Sequence, residues 1–353
     1  MRGTFTSLAS LCFVAILSVV SVQPAQASPL NLPAPLCNKL DFRKEWRALS
    51  VAERKSYIDS VLCLMDKPPN NPDSAAHNRF EEFQESHIAL TPRIHVVGQF
   101  LPWHRHIVTL YTNELRDQCG YTGPTPYWDW TIDADSSTPL AQSPIFDPVT
   151  GFGGDGVPGT YTLPDDPDGI NNTPGEPINP AWWKGCVQDG PFKDRVFHLG
   201  PRLLKTDHCL VRGFTEHIAK PWIDTESVQY TLNLPTFEDF IASIDNSRGG
   251  SHAIHHGGHL IVGGEMGDGY SSPGDPIFYL HHANLDRVWW QWQMANPLQR
   301  LYKIGGFTEY FGTHFGTTPT TLDYVLDFPG ISHNVTIQQV MNTLFEPNCF
   351  VYL

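Results

Sequence analysis

Six histidines, three in each of two well-separated segments, constrain this chain more than any other feature. His87, His95 and His104 lie in a stretch ending Phe100-Leu-Pro-Trp-His104-Arg105, and His255, His259 and His282 lie in a second ending Asp275-Pro-Ile-Phe-Tyr-Leu-His-His282. Neutral imidazole binds Cu, Zn, Fe and Ni, so ligand type alone leaves a metal open. If the six are ligands, the fold must gather each triad at one point. His255 and His259 are four apart, which puts both rings on one side of a helix.

Local patterns supply helices to carry them. Ser50-Val-Ala-Glu53 reads as a capping box, followed at helical spacing by Tyr57, Ile58, Val61, Leu62 and Met65 and stopped by Pro68-Pro69. A second helix is expected from about Arg79 to Ala89, with Phe80, Phe83 and His87 on one stripe and Pro92 as its breaker. A third, Trp103 to Leu115, opens near Pro102 and carries His104. Thr236 with Asp239 marks a helix over Phe237 to Ile244. His252 to Ile261 should be helical although Gly257 and Gly258 each cost about 1 kcal/mol against Ala. Asp275 as N-cap with Pro276 at the first position opens a strong helix through Trp292. Residues 133–180 hold nine prolines and seven glycines and read as a long irregular segment. Gly151-Phe-Gly-Gly-Asp-Gly156 within it matches GxGxxG, but no strand precedes it and no helix follows, so it reads as a plain loop. The expected fold is mainly α, with a central four-helix bundle holding the site, long irregular loops and few short strands.

Single histidines in apolar stripes are more often packed or surface residues than ligands, and the chain has 16. The six stand apart as a set with shared flanking motifs. His77, His106, His198, His208, His217, His314 and His333 lack that context and read as ordinary; His252, His256 and His281 read as neighbours of the site. A zinc-protease helix needs Glu after its first histidine, and here the run is His255-His-Gly-Gly-His259. Di-iron bundles need Glu-x-x-His pairs, and blue copper needs a cysteine ligand. Two histidine-only triads meeting across a helical core narrow the reading to two coppers that handle oxygen.

The first 27 residues read as a secretory leader: Arg2, an apolar run from Leu8 to Val20, then Ala25-Gln26-Ala27. Residues 28–353 are expected to form one domain of a secreted protein. Beyond Cys12 of the leader stand Cys37, Cys63, Cys119, Cys186, Cys209 and Cys349, enough for up to three disulfides whose pairing spacing leaves open. Asn171 and Asn334 begin glycosylation sequons. A net charge of −14 argues against nucleic acid and anionic membranes as partners and leaves a small neutral substrate unopposed. No obligate protein partner is expected.

The two long motifs resemble those of the type-3 copper family: tyrosinases, catechol oxidases and hemocyanins, and most closely the short secreted fungal polyphenol oxidases. The matching stretches are Gly98-Gln-Phe-Leu-Pro-Trp-His-Arg105 and Asp275 through Arg287, with Pro126-Tyr-Trp-Asp-Trp130 and Gly263-Gly-Glu-Met266 between them. The likeness runs from about residue 40 to 300 and implies a copper pair that oxidises o-diphenols, with o-aminophenols as a second class, to o-quinones while O2 becomes water. It makes His282 the ligand of the doublet, four residues before Asp286. It also places Phe278 against the ligand rings and pairs Arg105 with Asp286.

Four departures from the family pattern bear on activity. Arg93 stands where many members carry a cysteine thioether-linked to a ligand, so no such link is expected. His256 replaces a common Asn that helps hold a base-like water, and the acidic partner for that water would be Asp245, a shorter carboxylate. Both changes weigh against monophenol hydroxylation, which needs phenol deprotonation. The gate above the metals falls near Gly269 or Tyr270, an open mouth. No C-terminal lid domain is expected, hence activity without proteolysis. Two alternatives stay open: a tyrosinase with true monophenolase activity, and a hemocyanin-like oxygen carrier.

Overall fold

The computed structural model describes residues 35–166, 169, 180–245, 253–310 and 314–353, all within one compact unit, Ala34–Leu353. The expected leader and the Asn171 sequon lie outside the described residues. Helices dominate: α1 Val51–Met65, α2 Arg79–Ile94, α3 Phe100–Cys119, α4 Trp130–Ala134, α5 Glu216–Ile223, α6 Thr225–Leu232, α7 Phe237–Ile244, α8 Ile254–Val262, α9 Ile277–Ala295, α10 Pro297–Arg300 and α11 Ile337–Met341. No strand among the described residues exceeds five residues, so the mainly α expectation holds.

Ser50 caps α1 as anticipated, with the reciprocal Glu53 bond present, and Thr236 accepts from the Asp239 amide at the start of α7. Three boundaries differ from expectation. Helix α2 runs past Ala89 and includes Pro92 in its last turn. There a missing N–H costs one bond of a helix already about to end, and the residue before proline stays helical. Helix α3 opens at Phe100, so Pro102 sits inside its first turn, where amide donors have no intrahelical partner in any case. At α9 the cap is Pro276 rather than Asp275, yet the Asp275 carboxylate still accepts from the Ile277 amide at 3.1 Å. Helix α8 is described from Ile254, with His252 outside the described residues. Helices α5 and α6 were not anticipated; Pro221 interrupts the apolar period of the first.

Helices α2, α3, α8 and α9 form the centre, with α3 packed along α9 and α8 against both α9 and α5. The two glycines of α8 explain that contact. A Cβ on Gly257 would lie 2.5 Å from Ile223 of α5, and one on Gly258 would lie 2.2 Å from the His281 ring of α9. The helix-weakening glycines therefore let α8 sit flush between two neighbours.

At the edge, β1 Asp41–Glu45 pairs in parallel with β2 Pro126–Tyr127, Lys44 opposite Pro126, and with β3 Phe350–Tyr352, Asp41 opposite Phe350. This small sheet brings Arg43 to the core. Asp286 of α9 receives the Arg105 Nε–H at 2.5 Å and lies 3.5 Å from Arg43 Nη1. The expected Arg105–Asp286 pair is thus part of a larger buried cluster that ties α3, α9 and the terminal strand. Disulfides join Cys37 to Cys349, Cys63 to Cys119 and Cys186 to Cys209. Among the described residues no helix is long and apolar enough to cross a membrane.

Candidate metal centre

The four central helices deliver the histidines. His87 lies on α2, His95 at its C-cap, His104 on α3, His255 and His259 on α8 and His282 on α9. Ligand nitrogens of His87, His95 and His104 lie within 4.8 Å of one another, as do those of His255, His259, His281 and His282. The groups face each other: the His104 and His282 rings stack at 4.3 Å between centroids, and His95 and His255 are nearly parallel at 6.0 Å.

Hydrogen bonds select the nitrogen each ring presents. Nδ1 of His87 donates to the Tyr270 carbonyl at 2.8 Å, that of His95 to Thr91 at 3.0 Å and that of His104 to Phe100 at 2.9 Å. In the second group, Nδ1 of His255 donates to Asp245 at 2.9 Å and that of His259 to the Met266 carbonyl at 2.7 Å. Each ring thereby keeps its proton on Nδ1 and a lone pair on Nε2, the usual state of an oriented metal ligand. Nε2 of His87, His104 and His282 is buried with no hydrogen-bond partner among the described residues. The Nε2 atoms of His255 and His259 stand 3.0 Å apart. With both Nδ1 atoms donating, these are two facing lone pairs that repel unless a cation shares them. Burial pushes His87, His104, His255, His259 and His282 well below the usual imidazole range, and His95 below it, so the rings are neutral. Buried, neutral imidazoles with orphaned lone pairs fit metal ions.

Proximity admits His281 as a fourth member, but its hydrogen bond does not. The Trp130 indole donates to His281 Nδ1 at 3.0 Å, which leaves the proton of this neutral ring on Nε2 and no lone pair free. His282 has neither nitrogen engaged among the described residues, so a lone pair stays free. The Phe278 ring lies 4.2 Å from His282 and 5.3 Å from His87, touching both groups.

The other expected residues are placed as follows. Asp245 is buried, its carboxyl pushed up to about 6 by burial against the opposing pull of His256 and His95; one oxygen has no hydrogen-bond partner among the described residues. His256 follows His255, and its buried Nδ1 likewise has no partner among the described residues. Gly269 is exposed with open space where a Cβ would go, while Tyr270 meets His87 through its carbonyl. Arg93 is exposed and pairs with Asp327. Asn334 is exposed and donates to Asp327 at 2.6 Å. Val96, directly after His95, has φ 57, a left-handed conformation costly for a β-branched residue and concentrated at functional sites.

Sequence reasoning missed the groups behind the ligands. Trp130 lay unremarked inside a quoted motif. His208, read as ordinary, is buried against Glu265 at 3.1 Å. Buried polar residues next to a glycine pair would have been the available signal.

The chain matches the common central domain of tyrosinase over residues 77–295, from just before α2 to the end of α9. It belongs to the tyrosinase family. That is a dinuclear copper family of oxidases acting on phenols with O2, so the chain is an oxidase. It is 34% identical to Tyrosinase P of Aspergillus terreus, covering 91% of this chain and 94% of that protein. It is 32% identical to the N-acetyl-6-hydroxytryptophan oxidase of Emericella nidulans, covering 98% of this chain and 99% of that one. Among solved structures, a variant of polyphenol oxidase from Thermothelomyces thermophila superposes with a TM-score of 0.76 at 31% identity over 91% of both chains.

Proposed function

We propose that this tyrosinase-family oxidase is a secreted enzyme that converts o-diphenols to o-quinones, and o-aminophenols as a second class to o-quinone imines, with O2 reduced to water. Overall, two o-diphenols give up four electrons and four protons to one O2, yielding two o-quinones and two waters. The observation that carries the reading is the pair of facing groups of neutral histidines, five of the six oriented through Nδ1. His87, His95 and His104 would hold one copper, and His255, His259 and His282 the other. When bound, the copper pair supplies the electron exchange between phenol and O2.

The remaining roles fall to the chain. Phe278 packs against ligands of both groups and forms an apolar wall that excludes water from the reacting face. Asp245 holds the His255 tautomer with one oxygen and offers the other, with His256 Nδ1, as a place for a proton-accepting water. His256 stands where many family members carry the Asn that helps hold this water, which favours diphenols over monophenols as substrates. Gly269 leaves the mouth open, and the relative named for a hydroxylated indole supports bulky phenols as substrates. Asn334 is proposed as a glycosylation site on its exposed loop.

The test combines copper analysis with aerobic oxidation of 4-tert-butylcatechol and of tyramine. Two coppers per chain with rapid catechol oxidation and slow tyramine oxidation is the expected result. Two coppers without catechol turnover would favour an oxygen carrier, and a chain that retains no copper would end the reading.

A further inference from the structure

One segment touches both histidine groups through its backbone. Residues 263–271, joining α8 to the approach of α9, carry the Met266 carbonyl that accepts from His259 and, four residues on, the Tyr270 carbonyl that accepts from His87. Gly263 and Gly264 turn this strap with φ 64 and 52, in a space where a Cβ on Gly264 would lie 2.2 Å from the Val211 carbonyl. The strap is anchored by side chains outside the metal centre. Gln84 Nε2 lies 2.9 Å from the Ser271 carbonyl, 2.9 Å from the Leu199 carbonyl and 3.1 Å from Glu265 Oε1. All three neighbours are acceptors, so the amide nitrogen faces them. Glu265, with no exposed surface, takes His208 Nε2 on its other oxygen at 3.1 Å. Asp268 closes the turn, accepting from the amides of Tyr270 and Ser271, both at 2.9 Å.

Gln84 and His87 are three apart on α2 and so share a face. They grip the carbonyls of the adjacent residues Ser271 and Tyr270. Through Gln84, the Glu265 carboxylate therefore fixes where the strap meets α2, and the same strap sets the tautomer of one ligand in each group.

We propose that Glu265 is a positioning residue for both metal sites at once: by clamping the 263–271 strap through Gln84, it makes the retention of one copper depend on the other. This rests on the copper reading above. Neither Glu265 nor Gln84 touches a ligand ring, so their action is on geometry and not on the reacting atoms. Ligands held in the wrong tautomer lose metal affinity, typically 10–100-fold when an orienting partner is removed.

The test follows copper release from the loaded protein into excess chelator, with histidine ¹⁵N spectra of the metal-free chain as an independent readout. In the unaltered protein both coppers should leave in one phase, and His87 and His259 should show Nδ1–H tautomers. Glu265→Gln places an amide donor against Gln84 or His208. It should release both coppers at least about tenfold faster, within the range for loss of an orienting partner, and should mix the two tautomers. Gln84→Met, which removes the clamp without touching Glu265, should do the same and serves if the first variant does not fold. Val61→Ala on α1, a buried position away from the ligands, controls for plain destabilisation and should keep the original release rate. Unchanged release and tautomers in both clamp variants, faster loss of one copper alone, or an equal effect of Val61→Ala would overturn the proposal. A protein that takes up no copper would refute the earlier reading instead, while the tautomer spectra still decide the strap.

Discussion

Replacing Gly258 by alanine sets helix propensity against packing, and the two give opposite signs. Alanine in a helix interior is favoured over glycine by about 1 kcal/mol, so α8 taken alone should be strengthened. In the folded chain the new Cβ would lie 2.2 Å from His281 Cε1 and 2.3 Å from its Nδ1. Relieving that contact requires the ring or α8 to retreat by about 1 Å, and overpacking of this kind costs about 1–3 kcal/mol. His281 is fully buried, and its Nδ1 is the acceptor for the Trp130 indole at 3.0 Å. A displaced ring leaves a buried N–H unsatisfied, at about 1–3 kcal/mol. Even the low ends together exceed the propensity gain, so we expect Gly258→Ala to lose about 1 kcal/mol or more. Because α8 carries His255 and His259 while α9 carries His282, the same shift should weaken the second metal site. Urea denaturation of the metal-free chain measures the first effect, and copper per chain after dialysis the second. Gly269→Ala, where a Cβ meets open space, is the control and should change neither. A Gly258→Ala variant that is more stable than the parent and still holds two coppers would refute the packing argument.

Three further outcomes follow from the same geometry. His282→Ala should lose one copper and all catechol oxidation, whereas His281→Ala should keep both metals; metal analysis distinguishes the two, and the reverse pattern would mean that the Trp130 bond does not select the ligand. Asp286→Ala leaves Arg43 and Arg105, 1% and 0% exposed, without a counter-charge and should cost about 3–5 kcal/mol in urea denaturation. Arg105→Met leaves Asp286 still paired with Arg43 and should cost clearly less. For His208, burial works against the charged form but Glu265 outweighs it, so its pKa is raised. A raised imidazole pKa contributes stability that is fully present below the unfolded value of about 6.5 and is lost as pH rises through the folded value. The melting-temperature advantage over His208→Gln should therefore shrink as the pH rises above about 6.5; an advantage that grows with rising pH would show that His208 is not charged.

Helices whose ends are marked by local chemistry could be read directly from the chain. Ser50 and Glu53 cap α1, and Thr236 caps α7, because each bond involves residues three apart and needs no tertiary partner. Where proline was read as a stop the reading failed. Pro92 lies in a final turn, where it forfeits one bond of a helix about to end, and Pro102 in a first turn, where the N–H it lacks would have no intrahelical partner. Helices α5 and α6 escaped because α5 contains Pro221 and owes its shape to α8, which presses on it at Gly257. The pairing of the cysteines was equally out of reach, since Cys37 meets Cys349 only after the chain has folded across 312 residues.

The same division runs through the site. The two histidine groups could be picked out of the chain because histidine spacing and flanking motifs are local, but the nitrogen each ring presents depends on its acceptor. For His95 and His104 that acceptor is the carbonyl four residues earlier, Thr91 and Phe100, a relation that helical geometry supplies by itself. For His87, His255 and His259 it comes from Tyr270, Asp245 and Met266, from 7 to 183 residues away and set by how loops pack. Each group therefore contains at least one ligand whose orientation depends on a loop as well as a helix. Substitutions that preserve all six histidines but loosen the 263–271 strap or the Asp245 turn should leave the helices intact and degrade metal retention. Loss of the α3–α9 tie at Asp286 should do the opposite, lowering stability first and metal binding only as a consequence. Comparing copper release with unfolding across the two sets of variants separates the scaffold from the parts that aim it.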